Sequence, residues 1–254
     1  MEEHLYPIGT SDGRFLRTSP EFALKRVVSA GLPRVYEIGP SFRADEKGPW
    51  HSTEFLMLEW YRVGAHVTDL MQEVEELVGA VALALGVSAP ENWETTSVRD
   101  CFLSHTNIDL AKASAEDLAP NRGLSWDEAF FIRWLDEVEP NFPQAIHVHS
   151  WPASQAALAQ VRTSEWPYAV RFESYLNGVE LCNAFLELND DVEQRERFAQ
   201  ANAYRVAHGD PPHPIDESFL EAVGTLPTTA GIALGVERLV AALLNLDGIA
   251  QLQV

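Results

Sequence analysis

The chain has 254 residues, 46% of them hydrophobic and 22% charged, with 38 acidic against 18 basic side chains and a formal net charge of −20. That length can bury one sizeable core or two small ones, and the composition is that of an ordinary globular protein with no apolar run long enough to span a membrane. The acidic start Met1-Glu2-Glu3-His4 lacks the apolar stretch of a secretory signal, and Cys101 and Cys182 give neither a disulfide framework nor a zinc spacing, so a reducing cytoplasm is the expectation; the negative charge keeps the chain soluble and repels nucleic-acid backbones, without excluding small anionic substrates such as ATP.

Residues 14–17 read as a short extended stretch. Ser19-Pro20-Glu21 then predicts a helix start, with a hydroxyl cap, proline in the first turn and an acid at the positive end of the dipole. Gly31 predicts its stop. Residues 35–38 and 55–61 read as strands, with the charged Gly-Pro-containing stretch 45–51 as the loop between them. Val67, Leu70, Met71, Val74, Leu77, Val78 and Val81 recur at three and four, the period of an amphipathic helix. Residues 87–145 are the least patterned, are broken by Pro90, Pro120, Pro140 and Pro143, and are expected to form a variable helical insertion over the core. Strand signals return at Ile146. Residues 172–176 and 178–188 read as a hairpin turning at Asn177-Gly178. Residues 191–208 follow as a charged surface helix, and 231–235 as a small-residue strand running into a helix over 236–246. Hairpin strands with helices at the side predict an α+β architecture, an antiparallel β-sheet flanked by helices, rather than a βαβ repeat.

Three stretches carry candidate chemistry. With period two, Phe55, Met57, Glu59 and Tyr61 share one strand face, and Leu56, Leu58 and Trp60 the other. The second face is ordinary core. The first sets a carboxylate and a phenol beside an aromatic ring, and a buried Glu59 needs a partner, which could equally be a structural arginine, Arg43 or Arg62. Upstream, Ser41-Phe42-Arg43-Ala44-Asp45-Glu46 and then His51 flank the loop. Guanidinium forks match phosphate oxygens and carboxylates match magnesium, although most such charged runs are surface turns. Gly231-Ile232-Ala233-Leu234-Gly235-Val236-Glu237-Arg238 would let a ligand approach the backbone, with Arg238 in the first turn of the next helix.

In order along the chain, these stretches resemble the class II aminoacyl-tRNA synthetases. Ser41-Phe42-Arg43-Ala44-Asp45 with His51, Glu54-Phe55 and Glu59 is similar to motif 2 of that family, and Gly231 through Leu239 is similar to motif 3. Thr18-Ser19-Pro20-Glu21, Met57-Leu58-Glu59-Trp60-Tyr61, Pro152-Ala153-Ser154-Gln155 and Asn177-Gly178-Val179-Glu180-Leu181-Cys182-Asn183 resemble the lysyl branch, most of all the elongation factor P lysine ligases of the GenX/PoxA family. The resemblance implies a single class II catalytic domain over residues 1–254 without an anticodon-binding domain. It also implies ATP and Mg2+ as cofactors, and lysine or β-lysine activated as an aminoacyl adenylate and passed to a lysine of elongation factor P. By the same resemblance Arg43 would hold the α-phosphate and, with Arg238, stabilise the transition state. Asp45, His51, Ser52, Phe55, Glu180, Leu181 and Gly235 would complete the ATP site, with Glu180 on the metal. Ser19, Pro20, Glu21, Glu59, Tyr61, Asn183, Glu187 and Ala233 would surround the amino acid.

Several positions depart from the family pattern. Asp45 stands for glutamate, Ser52-Thr53 for Asn-Pro, Ala184 for glycine and Glu237 for aspartate. Ala233 stands where tRNA-charging lysyl enzymes carry glycine and agrees with the ligase branch, which implies a pocket shaped for β-lysine. The chain begins after the family's motif 1, the element that builds its homodimer, so a degenerate paralogue that binds nucleotide or amino acid without turnover stays open. A tRNA-charging enzyme is the weaker alternative, because the net charge opposes RNA. Strict alternation puts Asn183 and Glu187 on one strand face and Glu180 on the other, so both sets can line one pocket only across a bulge.

Overall fold

The computed structural model describes residues 5–44 and 46–252; Asp45 and the acidic start therefore lie outside the described residues. Helix α1 spans Glu21–Ser29. Pro20 rather than Ser19 occupies its cap position, yet the Ser19 hydroxyl still accepts the Glu21 N–H at 2.9 Å. Gly31, at φ 109°, takes the left-handed turn that ends the helix. Next come β1 (Arg34–Phe42), β2 (Glu54–Val63) and α2 (Val67–Leu85), then β3 (Glu94–Ser97) and the helices α3 (Val98–Thr106), α4 (Ala115–Leu118) and α5 (Trp126–Arg133). The chain continues through β4 (Ala145–Pro152), β5 (Val161–Arg162), β6 (Tyr168–Leu176), β7 (Val179–Leu186), α6 (Asp191–Ala207), α7 (Glu217–Gly224), β8 (Thr229–Gly235) and α8 (Val236–Leu243).

The sheet runs β1-β2-β8-β7-β6-β4-β3, with β5 paired to β6. Every pairing is antiparallel except β3 with β4. That exception follows from the insertion. Its helices α3 to α5 act as the crossover between the two strands, and a crossover delivers the second strand parallel to the first. Four residues of β3, Glu-Thr-Thr-Ser, are too short and too polar to show as a strand in the sequence.

The sheet's two faces separate packing from chemistry. Leu58, Trp60, Ala184, Leu186, Ala230, Ile232 and Leu234 point to one side and pack with Leu70, Val74 and Val78 of α2 and Leu239 and Ala242 of α8. The opposite side carries Met57, Glu59 and Tyr61, then Gly231, Ala233 and Gly235, then Asn183 and Phe185, in register across β2, β8 and β7. Beyond them Phe102, Phe130 and Trp134 of the insertion build an aromatic core with Trp151 of β4. Alternation on β2 thus does what its sequence predicts, apolar to the helices and polar to a cavity. The hairpin between β6 and β7 turns at Asn177 and Gly178, at φ 51° and 76°, the two positive angles a tight hairpin of the favoured twist requires.

Candidate active site

A cavity of about 940 Å3 opens over that polar face. Its floor follows the sheet: Glu59 stands opposite Ala233 in the register, and Ala233 opposite Asn183. Strands lie roughly 4.8 Å apart, so this row spans roughly 10 Å, the length of an extended diamino acid. Ser19, Glu21 and Phe22 close the α1 side, while Arg43, Ser52, Phe55 and Arg238 close the other. Leu5 to Pro7 and residues 210–214 form the outer rim.

Glu180 reaches the same cavity because β7 is bulged. Ser174 faces Cys182, but Tyr175 faces Glu180, so Leu181 is the extra residue and Glu180 turns to the side of Asn183. The alternation that seemed to divide these residues between two faces is broken at this one position.

The α1 end of the cavity is acidic and dry. Glu59 is 1% exposed. The Ser19 hydroxyl donates to its Oε1 at 2.5 Å and the Tyr61 hydroxyl to its Oε2 at 3.0 Å. Among the described residues no arginine reaches it: Arg62 pairs with Glu73, and Arg43 faces the loop. Burial pushes the Glu59 carboxyl up to about 7, with the charge of Glu21 adding to the effect and the two hydroxyls opposing it. Behind Glu59, Lys25 is buried, with its Nζ 2.5 Å from Glu21 Oε1 and 2.6 Å from Glu187 Oε2. Burial works against the Lys25 charge, but Glu187 and Glu21 outweigh it and hold the ammonium above its ordinary range. Burial likewise pushes the Glu187 carboxyl up, against the pull of Lys25. Three carboxylates therefore face one internal cation.

Tyr61 and Glu187 stand behind the cavity wall rather than on it, and both press on Gly231. A Cβ there would overlap Glu187 Oε1 and the Tyr61 ring, so this glycine is required by close approach. Pro20 is buried next to Ser19 and sets the start of α1.

The other end is cationic and half open. Arg43 lies over the Phe55 ring, 5.3 Å from its centroid, and its Nε donates to the Thr18 carbonyl at 3.3 Å. Arg238 rises from the first turn of α8 and reaches three places. Its Nε donates to the Trp50 carbonyl at 3.0 Å, its Nη1 to Glu180 Oε2 at 3.3 Å, and its Nη2 lies 2.9 Å from His51 Nε2. Glu46 bridges the two sides, 3.7 Å from Arg43 Nη1 and 3.4 Å from His51 Nε2. The carboxylate thus sits against Arg43 and His51 where an anionic ligand would be held. Glu237, one methylene longer than the family residue, uses that reach to accept the Leu56 N–H at 2.9 and 3.0 Å, which ties α8 to the end of β2.

The structure brings Ser19, Glu21 and Glu59 together at one end, Arg43, His51, Ser52, Phe55 and Arg238 at the other, and sets Ala233 and Asn183 in a row beside Glu59 along the floor. Glu180, Leu181 and Gly235 also line the cavity. Lys25 and Arg171 were not singled out in the sequence, whereas Glu46 was, as an acid of the charged run before the loop. Lys25 had a signal, since it follows Glu21 by four residues on a face with Leu24 and Val28. Arg171 and Glu173 had a weaker one, two charges at alternate positions of an otherwise apolar strand. Among the described residues no group of three or more acidic, histidine or cysteine side chains is arranged to hold a metal. A magnesium ion beside Glu180 would thus take most of its oxygens from a triphosphate and water.

Comparison with known proteins gives these features a family. The family model described as tRNA synthetases class II (D, K and N) matches residues 2–254. Among curated relatives, the elongation factor P–(R)-β-lysine ligase of Edwardsiella ictaluri (strain 93-146) is 37% identical, covering 99% of this chain and 80% of that protein. Proteins of the same name from Hamiltonella defensa and Yersinia pestis (strain Pestoides F) are 36% and 38% identical, covering 93% and 94% of this chain and 75% and 77% of theirs. With the motif-bearing strands assembled on one sheet face and the family match running over nearly all of its residues, the chain belongs to the class II tRNA synthetases (D, K and N).

Proposed function

We propose that this protein is an ATP-dependent ligase that activates a lysine-type amino acid, β-lysine before α-lysine, and transfers it to a lysine amine of elongation factor P. The observation that carries this reading is the polarity of the cavity over the sheet: buried carboxylates at one end, two arginines at the other, and an apolar methyl at Ala233 between. A diamino acid presents ammonium to the first end, and its carboxylate is left directed towards the arginines. The names of the relatives supply the acceptor.

In the first step a carboxylate oxygen of the amino acid bonds to the α-phosphorus of ATP, and the bond from that phosphorus to the bridging oxygen breaks, releasing pyrophosphate. Arg43, restrained by Phe55 and Thr18, neutralises the charge that gathers on the α-phosphate. Arg238 and His51 take the outer phosphates once the Glu46 carboxylate gives way. Magnesium beside Glu180 would supply further charge neutralisation on the phosphate oxygens. In the second step the acceptor amine attacks the carbonyl carbon, the bond to the phosphate oxygen breaks, AMP leaves, and the new amide nitrogen gives up a proton. No strong acid or base is needed, so positioning and charge carry most of the rate.

Glu59 would hold the substrate ammonium, with Ser19 and Tyr61 fixing its two oxygens. Two free, buried cysteines, Cys101 and Cys182, suit a reducing cytoplasm, and among the described residues no helix is long and apolar enough to cross a membrane. The test is transfer: purified protein, ATP, magnesium and (R)-β-lysine should increase the mass of elongation factor P by one lysyl residue and leave a lysine tRNA transcript uncharged. Charging of the transcript with elongation factor P unmodified would replace this reading with that of a tRNA synthetase. Binding of ATP and lysine without either product would replace it with that of an inert paralogue.

A further inference from the structure

Arg171, on β6, is a charged residue that does not line the cavity and yet touches two residues that do, Asn183 and Phe185. Its side chain is 13% exposed and wholly committed. The guanidinium lies 4.6 Å from the ring centroid of Trp151 and 5.9 Å from that of Phe185. Its Nη1 donates to the Gln155 carbonyl at 2.8 Å, and its Nη2 pairs with Glu173 Oε1. Glu173 is itself held by the Tyr175 hydroxyl at 2.5 Å. The Arg171 Nε donates to Asn183 Oδ1 at 3.0 Å.

That last contact has a chemical consequence. A carboxamide can turn over and exchange its oxygen for its NH2, but arginine carries five N–H donors and no acceptor. Whatever atom of Asn183 faces Arg171 must therefore be the oxygen. The NH2 group is left facing away, and among the described residues it has no hydrogen-bond partner. Asn183 lines the cavity next to Ala233, two strands from Glu59. A donor at that place cannot serve an ammonium, which is itself a donor. It can serve the one acceptor an amino acid brings, its carboxylate, and after activation the acyl carbonyl.

We propose that Arg171 is a positioning residue that locks Asn183 as a hydrogen-bond donor to the carboxylate, and then the acyl oxygen, of the bound amino acid. The row Asn183–Ala233–Glu59 then orients the substrate, donor to its oxygen end and carboxylate to its ammonium end. Trp151, Phe185, Gln155 and Glu173 keep the guanidinium planar and still, so the orientation of Asn183 is set before the substrate arrives. Freed from Arg171, the amide could present its oxygen instead and would no longer distinguish the two ends. This inference rests on reading the cavity as an amino-acid site.

The test is a double-substitution cycle, Arg171→Lys and Asn183→Ala, read by lysine-dependent exchange of pyrophosphate into ATP. Lysine keeps the positive charge beside Glu173 but loses the planar fork. Arg171→Lys is expected to raise KM for the amino acid about tenfold and leave KM for ATP unchanged, and to change nothing further in the Asn183→Ala background. Equal losses in both backgrounds, or a parallel rise in KM for ATP, would show that Arg171 merely supports the fold, and would overturn the proposal. A second measurement needs no activity and no variant. In the wild-type protein, nuclear Overhauser contacts should join the Asn183 Nδ2 protons to the Ala233 methyl. Contacts from those protons to the Arg171 Nε–H that are stronger than those to the Ala233 methyl overturn the proposal whether or not any variant folds. If the wild-type protein shows no exchange with any lysine isomer, the ligase reading fails by itself, while the amide contacts still decide the orientation of Asn183.

Discussion

The two ends of the cavity hold their charges in opposite ways. Around Glu59 the carboxylates are buried, and their partners are fixed just before α1, within it and on the sheet: Ser19, Lys25 and Tyr61. Around Arg238 the cations are half exposed and held by a loop, through the Trp50 carbonyl, His51 and Glu46. The first arrangement is rigid, and desolvation raises the free energy of its ionised form, so an arriving ammonium relieves an existing cost. The second is a set of exchangeable contacts, in which loop carboxylate and imidazole occupy cations that phosphates can take over. On the proposed function, selectivity for the amino acid would belong to the sheet, and turnover of nucleotide to the loop.

Substitutions can break that contrast from either side. Arg43→Ala should have the largest effect, lowering kcat by about a thousandfold, as expected when a donor to developing charge is removed, with thermal stability nearly unchanged. A comparable loss of folding would contradict the exchangeable character of that end. Glu59→Gln should raise KM for lysine about a hundredfold, because a buried ammonium loses its charged partner. The same variant should melt no lower than the wild type at pH 8, since it removes a buried charge rather than a structural ion pair. Gly231→Ala should destabilise by about 1–3 kcal/mol in denaturant unfolding, because its methyl must displace Tyr61 and Glu187.

The pH dependence sharpens the contrast. Free Glu59 titrates near 7, pushed up by burial, so KM for lysine should rise about tenfold for each unit below that value. Stability of the free protein runs the other way. A glutamate in the unfolded chain titrates near about 4.3, so the folded form holds its proton longer. The stabilising contribution is complete below the unfolded value and is lost as pH rises through about 7. A KM that is flat from pH 6 to 8, followed for instance by steady-state exchange assays, would mean that Glu59 does not meet the ammonium. Ala233→Gly should have the smallest effect, shifting the ratio of kcat/KM for β-lysine to α-lysine by about tenfold towards α-lysine, the worth of one methyl in an apolar site.

How much of this was legible in the sequence differs between the same two ends. On β2 the alternation of Met57, Glu59 and Tyr61 with Leu58 and Trp60 placed both faces correctly, because a half-buried strand writes its burial directly into its pattern. The helix start at Ser19-Pro20-Glu21 and the turn at Asn177-Gly178 were readable for the same local reason. What local pattern could not show was the bulge at Leu181, which depends on the register of β6 against β7. Nor could it show that Lys25 on α1 would be drawn to Glu187, just past the end of β7 and far along the chain. Helix α7 and strand β3 were missed because each is short and held mainly by tertiary packing.

The most direct measurement compares exchange of pyrophosphate into ATP with (R)-β-lysine, α-lysine and norleucine, which keeps the aliphatic chain but lacks the terminal ammonium. The account predicts exchange with both lysines, faster with the β-isomer, and none with norleucine, because Glu59 would then be left buried and unpaired. Exchange with norleucine as fast as with lysine, or none with any lysine in protein that binds ATP, would contradict it.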